Sequence, residues 1–310
     1  MRITSILFII FGFYQCTQPI TNPLNEPEKK LVISSFFTAD EIITVWVGYP
    51  HDILIDTLLY EANAMVKLYE DGQFIENLNH TLEGHYQSNY YLKTGKTYKI
   101  EVETDELSAS AEDAIPEQVL ADSAFYEYVD LGNWDAFQKY HFQFQDIANM
   151  ENYYEFVFLK IYNPQNVLVD VNFVTMPIII DPILENEDNN AYEPFSFFFA
   201  DDLIEGQNYQ MNMQMEAAGW SDTIHNDLNL NFIIDGYENY LIFRTISKQY
   251  YDFQKSWVKH RHNQNIIRRG ENRPNEQLFL FGEVSPLNSN IENGYGIFVA
   301  YQEQIIPFEE

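Results

Sequence analysis

From residue 31 onward, apolar and polar residues alternate in short runs rather than recurring every three or four positions. The segments LVISSFF, IITVWVGY and TYKIEVET are rich in β-branched and aromatic residues. In the last of them Tyr98, Ile100 and Val102 alternate with charged side chains, a pattern typical of a strand with one buried and one solvated face. Several such strands separated by turns predict an immunoglobulin-like β-sandwich over residues 31–117.

Two turns punctuate this region. The stretch AMVKLYEDGQFIENL predicts a β-hairpin, because the pair Asp71-Gly72 favours a tight turn between two apolar strands. The tetrapeptide TGKT at residues 94–97 is similar to the end of a phosphate-binding loop, but Tyr90 stands where that loop requires a glycine. We therefore interpret it as a second hairpin turn.

Strand-like runs continue over residues 118–310, where we expect a larger antiparallel β domain. In QMNMQM the side chains of Met211, Met213 and Met215 are predicted to share one face. The acidic stretch DPILENEDNNAYEP is predicted to be a surface loop. The predicted fold class is mainly all-β, an immunoglobulin-like sandwich followed by this second domain, which carries one amphipathic helix.

That helix is predicted near residues 247–262. Ile246, Tyr250, Phe253 and Trp257 recur at spacings of four, three and four, which place them on one helical face. Ser247 is a plausible N-cap because its hydroxyl can accept a hydrogen bond from a free backbone N–H of the first turn. We expect the aromatic stripe to pack on the sheet of the second domain rather than to line a ligand groove.

The first residues predict export and lipid attachment. Residues 3–14 form an apolar run of twelve, which is too short for a membrane-spanning helix of about 20 residues but suits a signal peptide. The run ends at Cys16, the only cysteine. We interpret residues 1–15 as a signal peptide that resembles those of bacterial lipoproteins, with Cys16 as the lipidated residue. The alternative is an ordinary export signal or signal anchor with an incidental cysteine.

Residues 16–30 form the predicted lipid anchor and tether. Pro19, Pro23 and Pro27 recur among polar neighbours and favour an extended chain. At about 3.1 Å per residue, such a tether holds the folded body up to about 40 Å from the lipid. Two or three acyl chains on Cys16 would give stable attachment to a membrane.

Charge and composition exclude several classes of protein. The 310 residues carry 47 acidic and 17 basic side chains, a formal net charge of −30, so nucleic-acid binding is not expected. A single cysteine excludes intrachain disulfides and multi-cysteine metal sites. Aromatic residues make up 16% of the chain, which favours a large strand-rich core.

One segment reverses the charge. The window from Arg244 to Arg273 carries eight basic and two acidic residues, whereas the rest of the chain carries nine basic against 45 acidic residues. A candidate docking patch for an acidic partner or lipid headgroups is formed by Lys248, Lys255, Lys259, Arg261, Arg268, Arg269 and Arg273. The alternative is that these cations pair with the acidic shell of the protein itself.

No catalytic motif is found, and we expect a non-enzymatic protein with no cofactor and no metal. His260 and His262 lie close in sequence, but no third ligand is recognisable. Residues 201–206, DDLIEG, offer oxygen ligands for a hard cation, but Asp and Gly are equally typical of a polar turn, which we favour.

The order of these segments resembles a family of Bacteroidota lipoproteins known only as domain of unknown function 4249. The matching stretches are LVISSFFTADEIITVWV, VKLYEDGQFIENL, GKTYKIEVET, SAEDAIPE, FFADDLIEGQNYQM, ISKQYYDF and SNIENGYGIFVAY. The resemblance implies a lipoprotein of the outer membrane, on its periplasmic or its outer face, that partners a TonB-dependent transporter as an accessory or ligand-binding protein. Two alternatives remain, a structural or adhesive surface protein and, third, a carboxylate-based hydrolase.

Overall fold

The computed structural model describes residues 28–50, 58–132, 135–162, 170–174, 177–179, 181–185, 187, 196–216, 237–269 and 285–309. Within these ranges the protein is mainly β, with three sheets and two helices. The predicted fold class is therefore confirmed.

The largest sheet has ten strands in the described part of the chain. In spatial order they are β13 (Asp170–Val174), β12 (Tyr153–Tyr162), β17 (Tyr237–Ile246), β18 (Gly294–Pro307), β1 (Leu31–Phe37), β2 (Ile42–Tyr49), β7 (His85–Tyr91) and β6 (Asn79–His80), with β15 (Phe197–Ala200) beside β12 and β3 (Leu59–Tyr60) beside β2.

Two four-stranded sheets face different halves of this long sheet. The first consists of β5 (Gln73–Asn77), β4 (Met65–Glu70), β8 (Thr97–Glu103) and β9 (Ser108–Ala114). The second consists of β10 (Ala121–Gly132), β11 (Asp135–Gln145), β16 (Asn208–Glu216) and β14 (Pro177–Ile179). Each smaller sheet and its half of the long sheet enclose a separate hydrophobic core.

The first sandwich follows the predicted alternation. Tyr98, Ile100 and Val102 on β8 are fully buried, while the residues between them are half-exposed. The hairpin of β4 and β5 turns at Asp71 and Gly72, whose φ angles of 49° and 77° are those that a tight two-residue turn requires. Both sequence predictions for this region are confirmed.

The second core is built largely from aromatic rings, which accounts for the high aromatic content. On β11 the side chains of Tyr140, Phe142 and Phe144 point inward, and rings from β12, β15 and β17 pack against them. Met211 and Met213 on β16 are buried in the same core, as predicted. The side chain of Met215 lies outside the described residues.

Strand β18 belongs to both sandwiches. Its first half pairs in parallel with β1, with Leu31 opposite Gly294, and its second half pairs antiparallel with β17. Phe298 lies in the first core and Phe308, just beyond the strand, lies in the second. The domain boundary at residue 117 stays a prediction, but the long sheet is continuous from one sandwich to the other through β18.

The two helices are α1 (Pro182–Glu185) and α2 (Lys248–Arg269). The surface loop predicted for DPILENEDNNAYEP is wrong at its start, because α1 buries Ile183 and Leu184 in the aromatic core. The carboxylate of Asp181 caps this helix by accepting the backbone N–H of Ile183 at 3.1 Å. The later residues of that stretch, 188–194, lie outside the described residues.

Candidate interaction surface on helix α2

Helix α2 begins at the predicted N-cap. The backbone N–H of Tyr250 donates to Oγ of Ser247 at 3.2 Å, and the N–H of Tyr251 donates to the Ser247 carbonyl at 3.0 Å. The Ser247 hydroxyl in turn donates to the carboxylate of Asp113 on β9. The cap therefore ties the helix to the first sandwich, and the helix extends seven residues beyond the predicted end at residue 262.

The predicted stripe packs on the sheet in part, since Ile246 and Tyr250 are buried and Phe253 packs against the same cluster. Tyr250, Tyr251 and Val258 are buried against the outer face of the long sheet, in a third cluster with Ile297 and Val299 of β18. Trp257 is 39% exposed, so its predicted packing against the sheet is wrong. The helix covers strands from both halves of the sheet. The helical face that contacts the sheet is rotated about the helix axis relative to the predicted aromatic stripe.

A buried carboxylate lies beneath the helix. Glu155 of β12 is 1% exposed and faces α2 rather than the aromatic core. It accepts hydrogen bonds from Arg244 at 2.7 Å and from Gln254 at 2.7 Å. Ser196 and Tyr250 also donate to it, and Arg244 forms a second ion pair with Glu303 at 2.6 Å. The buried carboxylate of Glu155 is stable in the interior because Arg244 compensates its charge and the other donors satisfy its oxygen atoms.

A second carboxylate, Glu187, anchors the next turn of α2. The hydroxyl of Tyr251 donates to both of its oxygens at 2.7 Å, and Nζ of Lys255 lies 3.0 Å away. Lys255 also sits over the Tyr251 ring. This positive charge is therefore compensated within the protein.

The residues of the predicted basic patch separate into two groups. Lys248 pairs with Asp252 at 2.7 Å, one helical turn away, and Lys255 pairs with Glu187. Lys259 is exposed and, among the described residues, has no ion-pair partner within 4.0 Å. Arg261, on the same helix, also interacts within the protein. The side chains of Arg268 and Arg269 lie outside the described residues, as does all of Arg273.

A row of aromatic side chains borders the helix. Phe36 of β1 meets Phe253 with ring centroids 6.4 Å apart, Phe253 stacks on Trp257 at 6.2 Å, and Trp257 stacks on His260 at 6.1 Å. His260 also contacts the Ser285 carbonyl through Nδ1 at 2.9 Å. Sequence periodicity identified Phe253 and Trp257 but not Phe36, which lies more than 200 residues earlier in the chain.

Asp113 joins the first sandwich to β18. Its carboxylate accepts the backbone N–H of Ala300 at 2.8 Å and that of Ala114 at 2.9 Å, besides the Ser247 hydroxyl. Burial raises the pKa of Asp113 to about 6, against these three hydrogen bonds, which favour the charged form. Asp113 lies in the stretch SAEDAIPE, but no sequence pattern there indicated a buried carboxylate.

The acidic segment at residues 201–206 forms a turn, as favoured. The carboxylate of buried Asp201 accepts the backbone N–H of Asn152 at 2.8 Å, and the Asn152 amide also donates to Asp146 at 3.2 Å. Burial and the charge of Asp146 raise the pKa of Asp201, opposed by the Asn152 hydrogen bonds. The N–H of Gly206 donates to Asp146 at 2.6 Å, so these acids hold two loops together.

Two further observations concern metals and membranes. Within the described ranges, no three His, Cys, Asp or Glu side chains are placed to hold a metal ion. No helix there is long and apolar enough to cross a membrane. Cys16, the predicted signal peptide and most of the predicted tether lie outside the described residues.

Comparison with known proteins gives one family. No curated protein matches the chain. A family model described as "Domain of unknown function (DUF4249)" matches residues 17–305, nearly the whole chain. The protein therefore belongs to the DUF4249 family.

Proposed function

We propose that this protein is a non-enzymatic lipoprotein of the outer membrane, anchored through Cys16, that acts as an accessory or ligand-binding partner of a TonB-dependent transporter. The apolar run that ends at the only cysteine supports the anchor. The transporter partnership comes from the resemblance of the whole chain to Bacteroidota lipoproteins. Helix α2 supplies the docking element of this proposal.

The distribution of charge along α2 carries the proposal. In the first half of the helix, Lys248 and Lys255 are neutralised by Asp252 and Glu187. The last three turns contain no acidic residue and carry Lys259, Arg268 and Arg269, together with Arg261, which also interacts within the protein. On a chain with a net charge of −30, this concentration of positive charge favours an acidic partner surface over a basic one.

Co-purification from membranes in mild detergent tests the proposal. We expect wild-type protein to bring down a transporter, and Lys259→Glu with Arg268→Glu to reduce its yield at least tenfold. Each substitution is also made alone, and the matched control for these single variants is Lys248→Glu, a charge reversal at the internally paired end of the helix, which should leave the yield unchanged. Recovery of wild-type protein as a lone monomer would contradict the proposal.

The continuous long sheet favours one alternative, a structural or adhesive surface protein. A strand shared by two cores resists bending between them, which suits a rigid spacer. This function requires no transporter and no charge on α2. Two results together would favour this alternative. Charge reversal on α2 would leave the yield of co-purified protein unchanged, and deletion of the protein would reduce the adhesion of intact cells.

A carboxylate-based hydrolase ranks third. In the described part of the chain, Asp146 and Asp201 are two buried acids that share a hydrogen-bond donor, the side-chain amide of Asn152. Both also accept backbone N–H groups that hold loops in place. A catalytic pair requires two acids that converge on a cleft in opposed environments. The observed arrangement favours a structural role for this pair.

A further inference from the structure

We propose that an exposed apolar rim on the first sandwich inserts into the interface of the bilayer to which the protein is anchored. The rim, named here the proximal rim, comprises Leu58, Leu59, Tyr60 and Leu82. The proposal rests on the lipid anchor of the proposed function and adds a second contact with the same membrane. The contact sets the orientation of the folded body.

Strand register places part of the rim beside the point where the tether joins the body. Strand β1 starts at Leu31, and the next residue, Val32, pairs with Gly48 near the end of β2. Gly48 pairs in turn with Tyr60 of β3. The residues 58–60 therefore lie at the end of the sheet where β1 begins.

Leu82 lies at the same end. It belongs to the turn before β7, and the backbone N–H of Val47 donates to the carbonyl of Gly84 in that turn at 2.9 Å. A Cβ added to Gly84 would lie only 2.7 Å from the Cβ of Tyr60. The turn is thus packed directly against β3, and the leucine it carries extends the surface formed by residues 58–60.

All four side chains of the proximal rim are large, apolar and exposed. The exposed fractions are 62% for Leu58, 44% for Leu59, 48% for Tyr60 and 68% for Leu82. Single exposed leucines are common, but adjacent ones on one edge mark an interaction surface. A tyrosine among leucines suits the boundary between lipid and water, because its ring is apolar and its hydroxyl is polar.

The tether and the local charges favour lipid as the partner. A Pro-rich segment of at most about 40 Å leads from Cys16 to this end of the body, so the rim is within reach of the anchoring bilayer. The nearby cations Lys29 and Lys30 are each paired with a glutamate, Glu106 and Glu28. These pairs leave no excess positive charge, and Glu61 and Glu83 directly adjoin the rim residues. We therefore expect apolar insertion into zwitterionic lipid rather than attraction to anionic headgroups.

Depth-dependent quenching tests the insertion. Lipidation blocks the thiol of Cys16, so Leu82→Cys provides a single reactive thiol in the full-length lipoprotein. An environment-sensitive fluorophore on that thiol is measured in phosphatidylcholine vesicles that contain acyl-chain spin-labelled lipid. The matched control is Ile305→Cys, another exposed aliphatic position, 56% exposed and about 36 Å farther along β18 from Gly294.

We expect at least twofold quenching at position 82 and none at position 305, with no increase when anionic lipid is added. Equal signals at the two positions would overturn the proposal, and so would quenching at position 82 that requires anionic lipid. Failure of the anchor has a different signature, since the chain would not float with the vesicles or would carry two fluorophores. Both variants should keep the wild-type melting temperature, because both side chains are exposed.

Discussion

At the scale of single residues, Arg244 is the cation on which buried Glu155 depends. Its guanidinium lies between Glu155 and Glu303, at 2.7 Å and 2.6 Å. Arg244→Ala would leave a carboxylate that is 1% exposed without its counter-charge. We expect this change to lower the free energy of unfolding by about 3–5 kcal/mol, measured by urea denaturation.

The control for this prediction is Lys248→Ala, which removes an exposed ion pair on helix α2. Exposed pairs one helical turn apart contribute about 0.3–0.5 kcal/mol, so this variant should remain close to wild type. Equal losses in the two variants would mean that Glu155 is satisfied by its neutral donors alone.

Asp113 makes stability depend on pH. Its pKa is about 6 in the folded protein, against an ordinary value of 3.8. The folded state therefore retains a proton that the unfolded chain releases, and this stabilising contribution is full below pH 3.8 and is lost as the pH rises through 6. From pH 4 to 6.5 we expect wild type to lose about 2–3 kcal/mol relative to Asp113→Asn. If the free energy of unfolding, measured by urea denaturation, changed with pH by the same amount in wild type and in Asp113→Asn, the assignment would be contradicted.

At the scale of elements, β18 is held to β1 at a position that tolerates only glycine. Gly296 has a φ of 109°, and a Cβ there would lie 1.9 Å from the carbonyl oxygen of Ile33. Gly296→Ala should therefore cost about 3 kcal/mol or more in chemical denaturation. Gly72→Ala is the control, since Gly72 also has a positive φ but no atom within 4 Å of the added Cβ, and should cost about 1–2 kcal/mol. Similar costs would show that the close approach to Ile33 is unimportant.

Sequence pattern predicted those elements whose evidence is local. The alternation on β8, the Asp71-Gly72 turn and the Ser247 cap each depend on residues a few positions apart. The parallel pairing of β1 with β18 was not predictable, because alternation does not reveal which strands pair. Helix α1 was missed because its two buried residues lie within an acidic stretch.

The candidate surface on α2 was predicted only in part, because its contacts also join residues that are far apart in the sequence. The basic residues of α2 were visible as a run of charge, but their partners were not. Arg244 and Glu155 are 89 residues apart, and Lys255 and Glu187 are 68 apart. The exposure of Trp257 likewise depends on which residues of the sheet pack against α2, which helical periodicity does not specify.

At the scale of the whole molecule, the shared strand predicts cooperative unfolding. Phe298 and Phe308 place the ends of one segment in two cores, so neither sandwich can lose β18 without exposing its own apolar residues. We expect scanning calorimetry to show a single transition with equal calorimetric and van't Hoff enthalpies. Two resolved transitions would show that the sandwiches unfold as independent domains.

Charge and apolar surface are also distributed unevenly over the whole molecule. The acidic body, the basic end of α2 and the exposed apolar rim are three separate features. In the proposed function they would give the protein a membrane side and a partner side. Each proposed contact assumes that the body is held at a membrane through Cys16.

The most direct test is therefore the intact mass of the full-length protein purified from membranes, with fragmentation of its N-terminus. We predict a mature chain of residues 16–310 whose first residue, Cys16, carries a diacylglycerol thioether and an acyl group. Cys16→Ser should abolish this species. A wild-type chain that still begins at Met1, or a cleaved chain with a free thiol at Cys16, would contradict the account.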